Sequence, residues 1–446
     1  MRRLLFAPSH GLVVLLAALL SAGCAANACT RVRDDHREFQ QRRGAGDQAQ
    51  LVVALPTTTL DQALSLPLSR LPPIAVPLPD LDLPIPGLEV GLGKLEVALR
   101  SVSVQPAAPG QLGLRVRFVL LSRGATITAI DLEAVIAPQL APGDATVRFS
   151  LRPQDLVRVR PSLPPAERKK FAEFILRQLP DAARMIGRDQ IESFADKALG
   201  ELVTRSFPAV RDNLLGSIDT LVDVEVELPP VPVARVELRT SPADVELWIH
   251  TTLPAPGLAA GPARAAGSDP RLVHVRMSGG TAAELANQGI ARGQIPGRYD
   301  LEGEPNPRGE FTAGVGWAAG PRPLRIHAWK EQPVCAHVVF SGTPELRSAA
   351  GSLELSVPDA RIEKVTGAVK ARAAVWFSGL GRKTFSFTEA IAGATQFELL
   401  GTDYDAVPVT ARIAGDDVGV DLRLAAAAAP APTTPRTPRT PRTPRQ

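Results

Sequence analysis

The chain has 446 residues, 22% of them charged and 4% aromatic, with a formal net charge of +4. That positive sign belongs to the two ends: Arg2, Arg3, Arg436, Arg439, Arg442 and Arg445 are six of the 50 basic residues, so 44 face 46 acidic ones and the body carries −2. A body of that charge, poor in aromatics, has neither the basic face nor the stacking platforms that nucleic acid requires; its length suffices for two domains of ordinary size.

Taken in chain order, Arg2 and Arg3 form a positive n-region, Gly11 to Leu20 an apolar h-region, and Ser21-Ala22-Gly23-Cys24 a run of small residues ending in cysteine. Residues 1–23 therefore read as an export signal. The apolar run is too short, and too soon followed by Arg31, Arg33, Asp34 and Asp35, to be a membrane span. Small residues ahead of a cysteine resemble a bacterial lipobox, which implies cleavage before Cys24 and a lipid on its sulfur. Ala25 behind it then points to an outer-membrane lipoprotein facing the periplasm. The competing cut follows Ala26-Asn27-Ala28 and leaves a secreted or periplasmic chain that begins at Cys29. Cys29 and Cys335 fit a disulfide in an oxidising periplasm and fit two unpaired thiols equally well. The segment 24–50, polar and charged from Thr30 to Gly46, reads as a tether.

Between Pro56 and Pro86 the Leu-Pro pairs favour an extended segment along a sheet edge or across a barrel end, because proline interrupts helices and donates nothing to a sheet ladder. From Lys94 the pattern has period two. Leu95, Val97 and Leu99 slip phase to Val102 and Val104, as a bulge at Arg100-Ser101 would produce. Leu112, Leu114, Val116, Phe118 and Leu120 form the cleanest strand, with Arg115 and Arg117 on its other face; Ile130 to Ile136 and Val147 to Leu151 follow. A helix starts at Pro164-Pro165 with Glu167 in its first turn. The spacing of Ile191, Phe194, Ala195, Ala198, Leu199, Leu202 and Val203 predicts a long amphipathic helix that passes Pro208 to Leu221 and hands over to the strand Val224-Glu225-Val226-Glu227-Leu228. Two further strands precede a Pro/Gly/Ala-rich stretch from Leu253 to Pro270. This stretch divides a first module, 51–260, from a second, β-rich module, 261–424. The second opens with a strand at Leu272, then a short helix announced by Thr281-Ala282-Ala283-Glu284, a capping box in form. Thr388 to Leu400 is a further short helix candidate. Residues 425–446 are a basic Pro-Arg-Thr tail with no core to bury. The fold class is α+β: highly curved antiparallel sheets wrapped around a long amphipathic helix, in one or two elongated barrel-like modules.

A search for chemistry yields no catalytic residues and no cofactor site. The run Gly87 to Lys94 has the wrong spacing for a phosphate loop, and no nucleophile elbow or paired-histidine metalloprotease motif occurs. Cys335 and His337 share a strand face, with His327 as a conceivable neighbour, but read as polar residues on a wet face rather than metal ligands. His250 and His274 read the same way, and Asp416-Asp417 reads as a turn.

The helix Ile191 to Leu221 running into Val224–Leu228, and the strand-and-short-helix unit around Leu285-Ala286-Asn287-Gln288-Gly289-Ile290, resemble the tubular lipid-binding superfamily, in particular its bactericidal/permeability-increasing-like group. The resemblance lies in the order of elements over about three hundred residues. It implies an apolar groove between helix and sheet that holds lipid acyl chains, lined here by Leu114, Val116, Phe118, Leu132, Phe194, Leu199, Leu202 and Phe207, with no catalysis. The membrane is then reached through the lipid on Cys24. The alternative is a structural or assembly lipoprotein of the cell envelope, in which the same side chains fill a dry core and protein contacts carry the function.

Overall fold

The computed structural model describes residues 27–41, 48–68, 73–77, 81–82, 89–90, 94–142, 146–150, 155–162, 164–178, 223–227, 232–264, 267–300, 304–332, 334–349, 352–368, 373, 385–392, 395–399 and 402–426. The signal, Cys24, the long helix expected between Ile191 and Leu221, and residues 427–446 of the tail lie outside them; Ala425 and Ala426, read as the start of that tail, end the last strand instead.

The first half contains α1 (27–40), β1 (Leu51–Pro56), α2 (Thr57–Leu68), β2 (Ile74–Pro77), β3 (Leu81–Asp82), β4 (Glu89–Val90), β5 (Lys94–Gln105), β6 (Leu112–Ser122), β7 (Ala125–Ile136), β8 (Gln139–Pro142), β9 (Thr146–Ser150), β10 (Leu156–Ser162), α3 (Pro165–Gln178), β11 (Asp223–Glu227), β12 (Val233–Thr240) and β13 (Asp244–Thr251). The second half contains β14 (Val273–Ser278), α4 (Gly279–Ala291), β15 (Arg298–Tyr299), β16 (Phe311–Trp317), β17 (Leu324–Lys330), β18 (Ala336–Gly342), β19 (Glu345–Ala349), β20 (Ser352–Gly367), β21 (Phe385–Ala392), β22 (Thr395–Leu399), β23 (Thr402–Ala414) and β24 (Asp417–Ala426).

These strands build a five-stranded sheet, β10-β7-β6-β5-β2, a small sheet β11-β9-β8, and a sheet β15-β16-β17-β18-β20-β19 with β21 also on β20. A central seven-stranded sheet, β12-β13-β1-β14-β24-β23-β22, draws strands from both halves, and β1 lies between β13 and β14 with antiparallel pairing to each. Register shifts at Leu99/Ser101, Leu120/Leu121 and Leu156/Arg158 bend the five-stranded sheet; the first is the slip visible in the sequence. The fold is thus mostly antiparallel, curled sheet with few helices. β2, the proline-bearing strand, takes a sheet edge, where an absent amide donor costs nothing.

Four readings change. Residues 27–40 form a helix docked on the second-half sheet, although their charged composition reads as a tether. α2 occupies the start of the Leu-Pro stretch and ends at Pro67-Leu68, since one proline in the last turn still permits the helix before it. The described residues of the helix candidate Thr388 to Leu400 fall in β21 and β22, where partner strands override a short local signal. The cap of α4 is Ser278, whose hydroxyl accepts from the Thr281 amide at 3.1 Å, so the helix begins three residues before the sequence motif suggests.

The Pro/Gly/Ala-rich stretch is held down by buried polar groups. Arg276, on β14, donates to the carbonyls of Pro262 and Ala259 and to Asp417 Oδ2 at 2.7 Å. Arg264 pairs with Asp244 at 2.6 Å, and the buried Gln50 side-chain amide donates to the carbonyls of Leu253 and Ala255. Satisfying these groups internally lets a segment without regular structure pack on a sheet.

Candidate functional site

The five-stranded sheet is sharply amphipathic. On one face Val97, Leu99, Val102 and Val104 of β5 lie opposite Leu120, Phe118, Val116 and Leu114 of β6. Those β6 residues and Leu112 in turn lie opposite Thr128, Ile130, Leu132, Ala134 and Ile136 of β7. The other face carries Arg115 paired with Glu133 at 3.1 Å and Arg117 beside Asp131 at 3.7 Å. Period-two alternation is the cause, since side chains of one strand point alternately to the two faces. The apolar face runs along β6 from Leu112 to Leu120, about 26 Å at ~3.3 Å per residue.

Both ends of this face are closed. At one end Val104, Leu112 and Ile136 form a buried cluster with Leu238 of β12 and Val245 of β13, and Leu60 of α2 packs on it. Asp61 of α2 accepts from the Val104 amide at 2.6 Å, and burial pushes its carboxyl above the usual carboxylate range against that bond. At the other end Thr128 donates to the Glu167 carbonyl at 2.9 Å, and the Ala129 amide donates to Glu167 Oε2 at 3.0 Å. Burial alone would raise the Glu167 pKa. The bonds from Lys170, Ala129 and Thr128 outweigh it and hold the carboxylate low, so α3 is docked by an ionised side chain in its own first turn.

Of the residues that the lipid-groove reading names, Leu114, Val116, Phe118 and Leu132 are brought together on the middle of this face. Phe118 and Leu132 are buried, and Leu114 and Val116 are half-buried. Phe194, Leu199, Leu202 and Phe207 lie outside the described residues.

A second cluster joins α1 to the second-half sheet; the sequence offered its Cys29–Cys335 pairing and its His327–His337 proximity only as possibilities, and not the helix that covers them. The sulfurs of Cys29 and Cys335 are bonded, with their Cα atoms 5.3 Å apart. Val32 and Trp329 are buried beside them. His36 stacks on Trp329 with ring centroids 4.7 Å apart and bonds Glu331 Oε1 at 2.9 Å. Phe39 lies against both Trp329 and His327. His327 Nδ1 and His337 Nε2 are 3.1 Å apart, and Asp35 Oδ2 is 3.4 Å from His337 Nδ1. Burial holds the His337 pKa below its ordinary value despite Asp35. This face of β17 and β18 is therefore covered by a helix and is not wet. The signal available in the sequence was the matching of His327 and Trp329, two apart on one strand, with Cys335 and His337, two apart on the next.

Cys335 is consumed by the disulfide, and among the described residues no group of three or more His, Cys, Asp or Glu is placed to hold a metal ion. Ser268, His274 and Asp421 superficially form a triad. Yet Ser268 Oγ and Asp421 Oδ1 both approach the same ring nitrogen, Nδ1, at 3.3 and 2.6 Å, whereas a relay needs one on each nitrogen. His274 is fully buried in the central sheet, and Asp421 is held low by His274, Thr410 and Arg412 although burial opposes it. This is a structural pair. His250, also buried, lies beside Arg235 and Glu237 on β12. Among the described residues no helix is long and apolar enough to cross a membrane.

No protein-family profile matches the chain, and no curated protein matches it. Among solved structures it is similar to P47 from Clostridium botulinum A2, at 7% identity and a TM-score of 0.41, over 85% of this chain and 98% of that one. P47 of Clostridium botulinum E1 gives 7% and 0.41, over 84% and 98%. A lipopolysaccharide binding protein gives 12% identity and a TM-score of 0.22, over 86% of this chain and all of the other.

Proposed function

We propose that this chain is an exported, membrane-anchored protein of the tubular lipid-binding kind, which binds or transfers lipid by holding acyl chains against the apolar face of the five-stranded sheet. The observation that carries the reading is the continuity of that face. From Leu112 to Leu120, and on the flanking strands, no polar side chain interrupts it before Thr128, whose hydroxyl is already bonded to Glu167. A surface of this kind takes up hydrocarbon at about 0.8 kcal/mol per buried CH₂ and leaves no polar group unsatisfied beneath it. The export signal and Cys24 support a place at the periplasmic side of an outer membrane. No catalytic role is proposed.

The burial of Phe118 and Leu132 favours a second reading, in which the face is dry core and the protein works by contacts with an envelope partner. A Cys24→Ser variant, exported without an acyl anchor, separates the two. Organic extraction and mass spectrometry of the purified variant, with titration of a fluorescent fatty acid, are expected to give co-purifying lipid and saturable uptake. Absence of both removes the lipid reading, and one stoichiometric crosslinked protein in its place supports the second.

A further inference from the structure

We infer that the Cys29–Cys335 disulfide and the docked helix α1 orient the body on the membrane, with the tip of the β17–β18 hairpin against the lipid surface. The inference rests on the anchor at Cys24 and not on the lipid-carrying part of the proposed function.

Read as a tether, the chain from Cys24 to Leu51 has 27 residues and lets the body tumble up to about 90 Å from the bilayer at ~3.4 Å per residue. The fold removes nearly all of that slack. α1 is fixed along its length: Cys29 is bonded to Cys335, Val32 is fully buried, His36 bonds Glu331 and stacks on Trp329, and Phe39 packs on Trp329 and His327. Between the acylated residue and the disulfide lie only the five steps from Cys24 to Cys29, a contour of at most about 17 Å. Cys335 lies directly after Val334, between the end of β17 at Lys330 and the start of β18 at Ala336, so this hairpin tip is held within that distance of the acyl chains. Val334, next to the disulfide, is 37% exposed and is one of three large hydrophobic side chains among the described residues that stand out from the surface. An apolar side chain at such a tip is suited to the headgroup boundary. Ala319, exposed in the turn between β16 and β17, marks the opposite end of the same sheet, about 23 Å away along β17 at ~3.3 Å per residue.

The test uses the full-length, acylated chain reconstituted in phosphatidylethanolamine/phosphatidylglycerol vesicles, with photoreactive benzoylphenylalanine in place of Val334 or of Ala319. Lipid adducts are expected at 334 and not at 319. A flexible Gly-Ser insertion of about 20 residues between Ala25 and Ala26 leaves fold and disulfide untouched. It lengthens the stretch between Cys24 and Cys29 about fivefold, and because effective concentration falls as roughly the −3/2 power of length, the adduct at 334 is expected to drop about tenfold. Equal adducts at the two positions, a preference for 319, or a yield at 334 indifferent to the insertion overturns the inference. Mass spectrometry of the N-terminal peptide is read in the same sample: Cys24 without acyl chains overturns the inference together with the anchor. Loss of lipid uptake by the Cys24→Ser variant, in contrast, would remove the carrier reading and leave the orientation standing.

Discussion

Val116→Phe tests whether the apolar face holds lipid or is simply core. Val116 is half-buried in the middle of β6, opposite Val102 on β5 and Leu132 on β7, which are buried to 3% and 8% exposure. Phenylalanine adds about four carbon atoms there. If an acyl chain lies over this position, the ring takes the place of about four methylenes; at ~0.8 kcal/mol each that removes about 3 kcal/mol, or a factor of about 100 in Kd. The lipid-free protein then has room for the ring, and its stability changes by less than about 1 kcal/mol. If Val102, Leu132 and their neighbours already fill the space, the ring must push them aside at a cost of about 1–3 kcal/mol. Fatty-acid titration and urea unfolding of the delipidated Cys24→Ser protein, with and without the substitution, measure both quantities. An unchanged affinity accompanied by a clear loss of stability would refute the groove.

Four further outcomes are expected. Reducing the Cys29–Cys335 disulfide, which joins residues 306 apart in the chain, should lower the urea midpoint by the equivalent of about 5 kcal/mol and shift tryptophan emission to the red as α1 leaves Trp329; an emission spectrum that does not move argues against the docking. His250 and His337 are held below 6.5 by burial, so the folded chain keeps them neutral while the unfolded chain takes up protons. Stability should therefore be full above pH 6.5 and fall as the pH drops below it, by up to about 1.4 kcal/mol per unit for each histidine, and a urea midpoint that is flat from pH 8 to 5 contradicts this. Arg276→Met strips Asp417 and the carbonyls of Pro262 and Ala259 of their donor, at about 3 kcal/mol, and should open residues 253–264 to limited proteolysis; resistance equal to the parent protein would show that other contacts hold the segment. Gly342→Ala drives a methyl into Val357 and to 3.2 Å from the Ala360 Cα, beneath the cluster of Leu324, Val357 and Ala360, and should cost about 1–3 kcal/mol in thermal unfolding, whereas a neutral result means the β18–β20 contact is looser than its geometry.

The strands that make the amphipathic sheet were legible because their cause is local. Alternation along Leu112–Leu120 and Ile130–Ile136 settles which side chains share a face, and the phase slip after Leu99 marks the bulge, whatever the rest of the chain does. Glu167 in the first turn of α3 was visible as a helix start, but its role in holding Thr128 and Ala129 was not, since the partner strand lies 38 and 39 residues away. β10 and the strand identity of Thr388 to Leu400 were missed for the same reason: short segments take the structure that their neighbours impose.

Composition and pattern alone thus determined a mostly antiparallel α+β chain with one strongly apolar sheet face. Only the tertiary structure decided that residues 27–40 are a docked helix, that Cys29 meets Cys335, and that His250, His274 and His337 are buried. Whether a charged segment floats or docks, and whether a histidine is wet or covered, depends on what chain hundreds of residues distant is laid over it. Sheet pairing settles that, and periodicity along a single strand carries no record of it.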